Sequence, residues 1–142
     1  MISVRERLIR EAMARCQTAV APVRVLRQPT TAIPREQTPA LVLLVESDAP
    51  VKRSNDRLER ELVLRLIGHA RDFDDGYVVA DDLVCKAHAA LLADPTLGGL
   101  ALAITEAEAD YQAEDADMDA IAIPAVYRIT YRTLVSDITQ GG

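Results

Sequence analysis

A long alternating run near the end of the chain constrains the fold more than any other feature. Apolar side chains occupy every odd position of this run: Ile121, Ile123, Ala125, Tyr127, Ile129 and Tyr131. Side chains alternate between the two faces of a β-strand, so the run predicts a strand with one buried face. Pro124 cannot donate a hydrogen bond to a neighbouring strand, which predicts a sheet edge or a bulge at this point.

Two segments show the spacing of amphipathic helices. The first helix is predicted over residues 4–19, because Ser3 and Glu6 form a capping box ahead of apolar residues at helical intervals. The second helix is predicted over about 77–93, where apolar residues again recur at helical intervals and Pro95 follows.

Shorter patterns predict four further strands. Residues 23–27 alternate between two prolines, and residues 40–45 form a compact apolar run typical of a buried strand. Residues 57–71 fit either a helix or a strand, and we favour a long strand. The fourth strand begins at residue 100, and its far end leaves the core.

The segments between these elements are predicted to be irregular. Residues 28–39 contain three prolines and predict an extended loop. Residues 46–56 are polar with one proline, which indicates an exposed loop or hairpin tip. Residues 136–142 are expected to form a loose tail.

These elements define a fold class. A chain of 142 residues is short enough to form one domain, here residues 1–142. The predicted order is α-β-β-β-α-β-β, and consecutive strands joined by short loops favour antiparallel pairing. We therefore predict an α+β fold: a mostly antiparallel sheet of about five strands with two helices on one face.

Composition excludes several classes of protein. Hydrophobic residues are 49% and charged residues 27% of the chain, as in globular rather than disordered proteins. The longest apolar run, residues 97–104, is far shorter than the roughly 20 residues of a membrane helix, so no membrane partner is expected. The charged N-terminal stretch does not resemble a signal peptide, and two cysteines favour a reducing compartment.

Charge is divided unevenly between the two halves. The whole chain has a net charge of −6, but residues 1–71 carry 13 Lys or Arg and 8 Asp or Glu, a net +5. Residues 72–142 carry 3 Lys or Arg and 14 Asp or Glu, a net −11. Such asymmetry fits a basic nucleic-acid-binding face, and it fits equally a head-to-tail ring in which unlike surfaces meet.

The sequence offers little for catalysis. It contains neither of the glycine-rich motifs that bind nucleotide phosphates nor the motif that presents a serine nucleophile, so no enzyme activity is expected. Cys85 and His88 share a helical face, but a zinc site needs a third ligand, here His69 or Cys16. The simpler interpretation is a core thiol and a half-buried imidazole.

Two acidic segments each fit more than one role. Asp72, Asp74 and Asp75 precede the second helix, where they favour the helix dipole or form a site for a divalent cation such as magnesium. No other cofactor is expected. Residues 106–119 hold seven acids and no base, which indicates a solvated hairpin or a surface that faces a basic partner.

Basic and acidic residues supply candidate interface positions. The basic residues on predicted loops and strand ends include Arg24, Arg27, Arg35, Lys52 and Arg53. The acidic residues at the start of the second run are Glu106, Glu108 and Asp110. None of the five aromatic residues lies before residue 73, so direct nucleic-acid binding, which usually adds stacking aromatics, is not favoured.

The layout of the chain resembles a known family. The stretch from Asp94 to Ala101, DPTLGGLA, is similar to a helix exit into a fourth strand, and Tyr127 to Thr133, YRITYRT, is similar to a final strand. Residues 113–117 are similar to the turn before that strand. With an arginine-rich first helix and a proline-rich first loop, the chain resembles the tail terminators of long-tailed phages, the minor tail protein U group, over nearly its whole length.

The resemblance implies a structural role without enzyme activity. Tail terminators form a hexameric ring on the last ring of the tail tube, stop tube polymerisation and offer a face for joining the head. The implied partners are further copies of the chain, the tail tube protein and a head–tail joining protein. The implied location is the bacterial host cytoplasm during assembly and the head-proximal end of the virion tail. The alternative is a small nucleic-acid-binding or regulatory module.

Overall fold

A single mixed sheet organises the chain, and its strands lie in the order β1-β2-β3-β5-β4. The computed structural model describes residues 1–71, 74–111 and 120–142. The elements are α1 (Val4–Val20), β1 (Arg24–Arg27), β2 (Ala40–Ser54), β3 (Arg57–Ala70), α2 (Gly76–Leu92), β4 (Ala103–Ala107) and β5 (Ile121–Leu134). The predicted α+β class and order of elements are confirmed, and both helices match their predicted bounds to within one residue.

Pairing is antiparallel between β2 and β3, between β3 and β5, and between β4 and β5. β1 differs, because it runs parallel to β2. A parallel pair needs a connection of about a dozen residues, and the segment 28–39 provides it. Ile33 of this segment packs against Val42 and Ile67 on the sheet. The sheet is therefore mostly, but not purely, antiparallel.

Both helices cover the same face of the sheet, as predicted. We call this the helix face and the opposite side the open face. On the helix face, Leu8 of α1 and Leu83 of α2 belong to one buried cluster with Leu43, Leu64 and Tyr127 of the sheet. The opposed side chains of β3 and β5 therefore form the floor of the main core.

Gly68 of β3 allows α2 to approach the sheet closely. A Cβ atom added at this position would collide with the backbone carbonyl oxygen of Ala80 in α2. A side chain at this position would therefore push α2 away from β3.

Of the two structures predicted for residues 46–56, the exposed loop is wrong and the hairpin tip is confirmed. β2 continues to Ser54, which lies opposite Arg57, and only residues 55–56 turn between the strands. Asn55 occupies the left-handed region with φ 57°. We call the outer part of this hairpin, residues 46–63, the arm. Most side chains of its β2 strand are exposed, so the segment has the polar composition of a loop although its backbone is paired.

β5 is an inner strand rather than an edge strand. It lies between β3 and β4 over part of its length, so it is not an edge strand as a whole. The ladder with β4 ends where Ala107 lies opposite Val126, and Pro124 lies beyond that point, opposite Ile67 of β3. Pro124 thus occupies the stretch of β5 that β4 does not reach, which among the described strands agrees with the sheet edge predicted at this point. β4 also begins at Ala103, later than the predicted residue 100.

The tail after β5 is attached rather than loose. The backbone N–H of Leu134 donates to the carbonyl of Gln140 at 3.1 Å, and the N–H of Val4 donates to the carbonyl of Ile138 at 2.9 Å. Thr133 and Gly141 form an isolated β-bridge. The tail therefore joins the start of α1 to the end of β5.

We expect the core to depend on Leu64, which is 0% exposed at the centre of the helix face. Leu64→Ala should lower the free energy of unfolding by about 2–5 kcal/mol, because it removes buried apolar contacts and leaves a cavity. Denaturant unfolding measures this loss. Leu102→Ala, at a leucine that is 44% exposed, should change the same quantity by less than about 0.5 kcal/mol. Equal losses in the two variants would contradict this assignment of the core.

Candidate assembly interface

Two of the predicted basic residues lie on an outer strand of the sheet. Arg24 and Arg27 are the first and last residues of β1, and the side chains of both are exposed. We call this pair and their strand the basic edge. Arg24 has no charged partner among the residues that the structure describes. It therefore presents its charge outward from the sheet.

Arg27 is already paired within the subunit. Its two terminal nitrogens each donate to a carboxylate oxygen of Glu6 at 2.7 Å. Ser3 Oγ accepts from the backbone N–H of Glu6 at 3.0 Å, as the capping pattern predicts. The Glu6 carboxylate, however, bonds Arg27 and Arg10. The Arg27 bond is the largest cause that lowers the pKa of Glu6 to about 2.

Two of the three predicted acidic residues, Glu106 and Glu108, lie at the opposite edge of the sheet. Glu106 belongs to β4, and Glu108 and Asp110 follow it directly. All three are exposed, and none forms an ion pair with any residue in the described ranges. We call β4 with Glu106 and Glu108 the acidic edge, because Asp110 lies further along, where its carbonyl accepts from Arg65 of β3. The rest of the acidic run, from residue 112 to 119, lies outside the described residues.

The sheet thus separates the two predicted charge groups. β1 and β4 are its two outer strands, with β2, β3 and β5 between them. A basic strand at one edge and an acidic strand at the other are unlike surfaces on opposite sides of one subunit. Heterologous head-to-tail contacts require surfaces of this kind.

A buried arginine that the sequence analysis missed holds the start of the acidic segment. Arg65 of β3 is 4% exposed and forms an ion pair with Glu46. Its Nη1 atom donates to the backbone carbonyl of Asp110 at 3.0 Å. The segment after β4 therefore crosses the open face toward β3. An arginine between two buried leucines was the available sequence signal, because a buried charge requires partners.

Lys52 and Arg53 lie on the arm rather than in a loop. Both are exposed, and Nε of Arg53 donates to the carbonyl of Asn55 at 2.9 Å. A small cleft with a volume of about 200 Å³ lies beside Lys52. Its lining residues are Lys52, Ser54, Arg57, Glu59 and Arg132. The arm therefore carries a basic group far along the sheet from β1.

A polar network fixes the arm to the first helix. The hydroxyl of Tyr131 lies 2.8 Å from both carboxylate oxygens of Asp48, and Nη1 of Arg5 donates to the same carboxylate at 3.1 Å. Tyr131 is 1% exposed, and its burial raises its pKa. Asp48 was not predicted as a site residue, because residues 46–56 lack the alternation that would place it on a strand.

Arg35 is not part of the basic edge as the structure describes it. It begins a short 3₁₀ turn, Arg35–Gln37, within the connection between β1 and β2. Its side chain is exposed and has an interaction of its own. The structure places Arg35 in this turn, whereas Arg24 and Arg27 lie on the edge strand.

The candidate cation site is only partly within the described residues. Asp72 lies outside them, whereas Asp74 and Asp75 are exposed and each has an interaction with another group. Asp75 precedes α2 without capping it through its side chain. No cluster of three or more His, Cys, Asp or Glu side chains that could hold a metal ion occurs in residues 1–71, 74–111 and 120–142.

Cys85 and His88 have separate surroundings. Cys85 is exposed, so its expected place as a core thiol is wrong, and the Asp81 charge one turn away raises its pKa. His88 is half-buried, as expected, and its Nδ1 lies 2.8 Å from the hydroxyl of Tyr127. Cys16 is buried in the main core, where burial raises its pKa to about 12. These groups therefore act as packing and hydrogen-bonding residues.

The DPTLGGLA stretch has a clear local role at the end of α2. The Asp94 carboxylate accepts from the backbone N–H groups of Thr96 and Gly98 and forms an ion pair with Arg15 of α1. The Gly98 bond is the largest cause that lowers the pKa of Asp94 to about 2. Gly98 has φ 73°, a conformation that favours glycine. Asp94 thus closes this turn and ties it to the first helix.

Comparison with models of known protein families finds no match, and comparison with curated proteins finds none either. Within the described part of the chain, every helix is too short or too polar to span a membrane.

We expect the Glu6–Arg27 pair to make stability depend on pH. An unfolded glutamate titrates near 4.3, whereas the folded pKa is about 2. The ionised carboxylate therefore stabilises the fold above the unfolded value, and this contribution is lost as the pH falls from about 4.3 towards 2. The difference in unfolding free energy between the natural chain and Glu6→Gln should shrink over this range in denaturant titrations.

Arg27→Gln provides the control for this experiment. It removes the partner that contributes most to the lowered pKa of Glu6, so its own pH dependence should resemble that of Glu6→Gln. A difference between the natural chain and Glu6→Gln that stays constant throughout this pH range would contradict the role of the pair.

Proposed function

We propose that this chain is a structural subunit of a phage tail terminator. Six copies form a ring that ends polymerisation of the tail tube and offers a face to the head-joining protein. The proposal combines the sequence resemblance with one observation: a basic and an acidic strand form opposite edges of the same sheet.

This observation supports a ring because the charges at both edges lack sufficient partners within one subunit. Arg24 at one edge, and Glu106 and Glu108 at the other, form no ion pairs in the part of the chain that the structure describes. Unlike patches that meet head to tail close into a ring when the rotation between copies is suitable. Charge complementarity also speeds encounter and disfavours wrong partners.

The arm supplies a surface for a partner along the tail axis. β1 lies level with residues 40–43 of β2, whereas the arm extends to Ser54. Contacts between neighbouring copies at the sheet edges would leave Lys52 and Arg53 beyond β1. In this proposal they contact the tail tube protein or the head-joining protein.

The role we propose is one of assembly rather than catalysis. It places the protein in the bacterial host cytoplasm during assembly and at the head-proximal end of the finished tail. A magnesium ion could reduce repulsion among the carboxylates when copies meet, so assembly is best measured with and without magnesium.

Charge reversal at the two edges tests the ring. Arg24→Glu and Glu108→Arg should each reduce the fraction of particles at about six times the 15.5 kDa chain mass, because each places like charges at the contact. The double variant should recover part of that fraction. Light scattering after size exclusion, at low and high salt, measures the mass.

Lys86→Glu is the matched control for Arg24→Glu. Lys86 is an exposed residue of α2, and the substitution changes the net charge by the same amount. It should leave the ring fraction unchanged. A loss equal to that of Arg24→Glu would mean that overall charge, rather than the edge, controls assembly.

A second pair of substitutions tests the arm. Lys52→Glu with Arg53→Glu should leave the ring mass unchanged and abolish capping, because the proposed axial contact loses its positive charge. Electron microscopy of tubes polymerised with each variant measures tube length, and capping failure appears as overlong tubes. Normal tube length would contradict the role of the arm.

The same variant addresses the nucleic-acid-binding alternative, which is favoured by the exposed basic residues Lys52, Arg53 and Arg57 on the arm. A binding module would bind DNA with an affinity that falls steeply with salt, and the double variant would lose that affinity. DNA binding by a chain that never forms rings would replace the terminator proposal.

A further inference from the structure

We propose that β4 of one copy pairs with β1 of the next copy as antiparallel strands, so that neighbouring sheets join edge to edge. The inference rests on the proposed ring and specifies the atoms that form its contact. It makes the backbone of the edge strands, as well as their charges, the binding surface for a second copy.

Both outer strands have one unpaired side. β1 pairs with β2, β4 pairs with β5, and no backbone hydrogen bond among the described residues reaches the outer side of either strand. The N–H of Gln28 donates to the carbonyl of Leu43, which shows that alternate residues face β2. Val25 and Arg27 therefore direct their N–H and C=O groups outward, where another strand can bind.

The strand directions suit this pairing. β1 and β2 run parallel, and each of the steps from β2 to β3, β3 to β5 and β5 to β4 is antiparallel. β4 therefore runs opposite to β1. When a second copy stands beside the first in the same orientation, its β1 lies antiparallel to β4. The lengths also match, with four residues in β1 and five in β4.

The side chains on matching faces are complementary. On the helix face, Arg27 bonds Glu6 of α1, and Ile104 belongs to the main core cluster. Glu106, two residues beyond Ile104, shares that face, and a register with Arg27 opposite Ile104 places Arg27 diagonal to Glu106. In the same register Arg24 lies opposite Ala107 on the open face, and a slip of two residues would place it opposite Thr105. The arginines of β1 thus lie beside the acidic edge of the next copy. The apolar side chains of the helix face continue from one copy to the next.

The two edge strands are offset along the sheet. The pairs that connect β1 through β2 and β3 to β5 place β1 level with residues 122–125 of β5. β4 instead pairs with residues 126–130 of β5. Along the strands this offset is about 15 Å, at roughly 3.3 Å per residue. Across the sheet, the five strands of one copy occupy about 24 Å, at roughly 4.8 Å per strand. Strands that close into a ring need such a stagger and incline to its axis.

Disulfide cross-linking tests the pairing directly. In a Cys85→Ser background, which removes the exposed thiol, Arg24→Cys is combined with Thr105→Cys or with Ala107→Cys. The two new thiols of one chain lie four strand spacings apart, which is about 19 Å across the sheet before their offset along it is added, so they cannot bond within a chain. Mild oxidation should produce a ladder of linked chains on a non-reducing gel for at least one of these pairs.

The matched control is Arg24→Cys with Glu106→Cys, in which the second thiol lies on the opposite face of β4. It should give no ladder, because pairing of strands brings together only side chains on the same face. Circular dichroism verifies that every variant is folded. Two results would overturn the strand pairing: rings that form no disulfide between open-face cysteines, or rings that link equally well through Glu106→Cys. Either result would leave the ring proposal in place. A chain that remains monomeric without links would overturn both.

Discussion

Pairing of β3 on both sides is the constraint on which the remaining structure depends. The ladder with β5 covers the whole strand, from Arg57 opposite Leu134 to Ala70 opposite Ile121. On the other side β2 follows β3 as far as Ser54. Leucines at alternate positions of β3 form the floor beneath both helices. The same ladder supports the arm, which extends outward on backbone hydrogen bonds although most β2 side chains there face solvent.

The elements with a strong hydrophobic period could be predicted from the sequence. α1, α2 and β5 each bury one face, and a one-sided core imposes a period of 3.6 or 2 on the apolar residues. The arm could not be predicted in this way. Both of its faces contact solvent along β2, so the residues have no alternation and resemble those of a loop. The parallel pairing of β1 was equally hidden, because it depends on where the connection 28–39 crosses the sheet.

The candidate interface, too, could be predicted only in part from the sequence. Composition revealed a basic and an acidic half, but only the strand order shows that β1 and β4 are the two edges. Arg27 had the expected location, yet Glu6, 21 positions earlier in the chain, binds its guanidinium. Local patterns cannot reveal such a pair. The partners of Asp48 and Arg65 also lie on distant segments, although the place of Arg65 between two leucines indicates a buried charge.

The two irregularities in β2 have a consequence for how this chain tolerates change in length. Register shifts occur between Val45 and Ser47 and between Pro50 and Lys52, and each extra residue reverses the face to which later side chains point. The first reversal turns Asp48 to the helix face, where it reaches Tyr131, and the second restores the original alternation. Deleting one of the two extra residues would leave the pairs between β2 and β3 in place and make the ladder regular at that point. Relatives of this chain should therefore gain or lose a residue at these two points more readily than elsewhere in the arm.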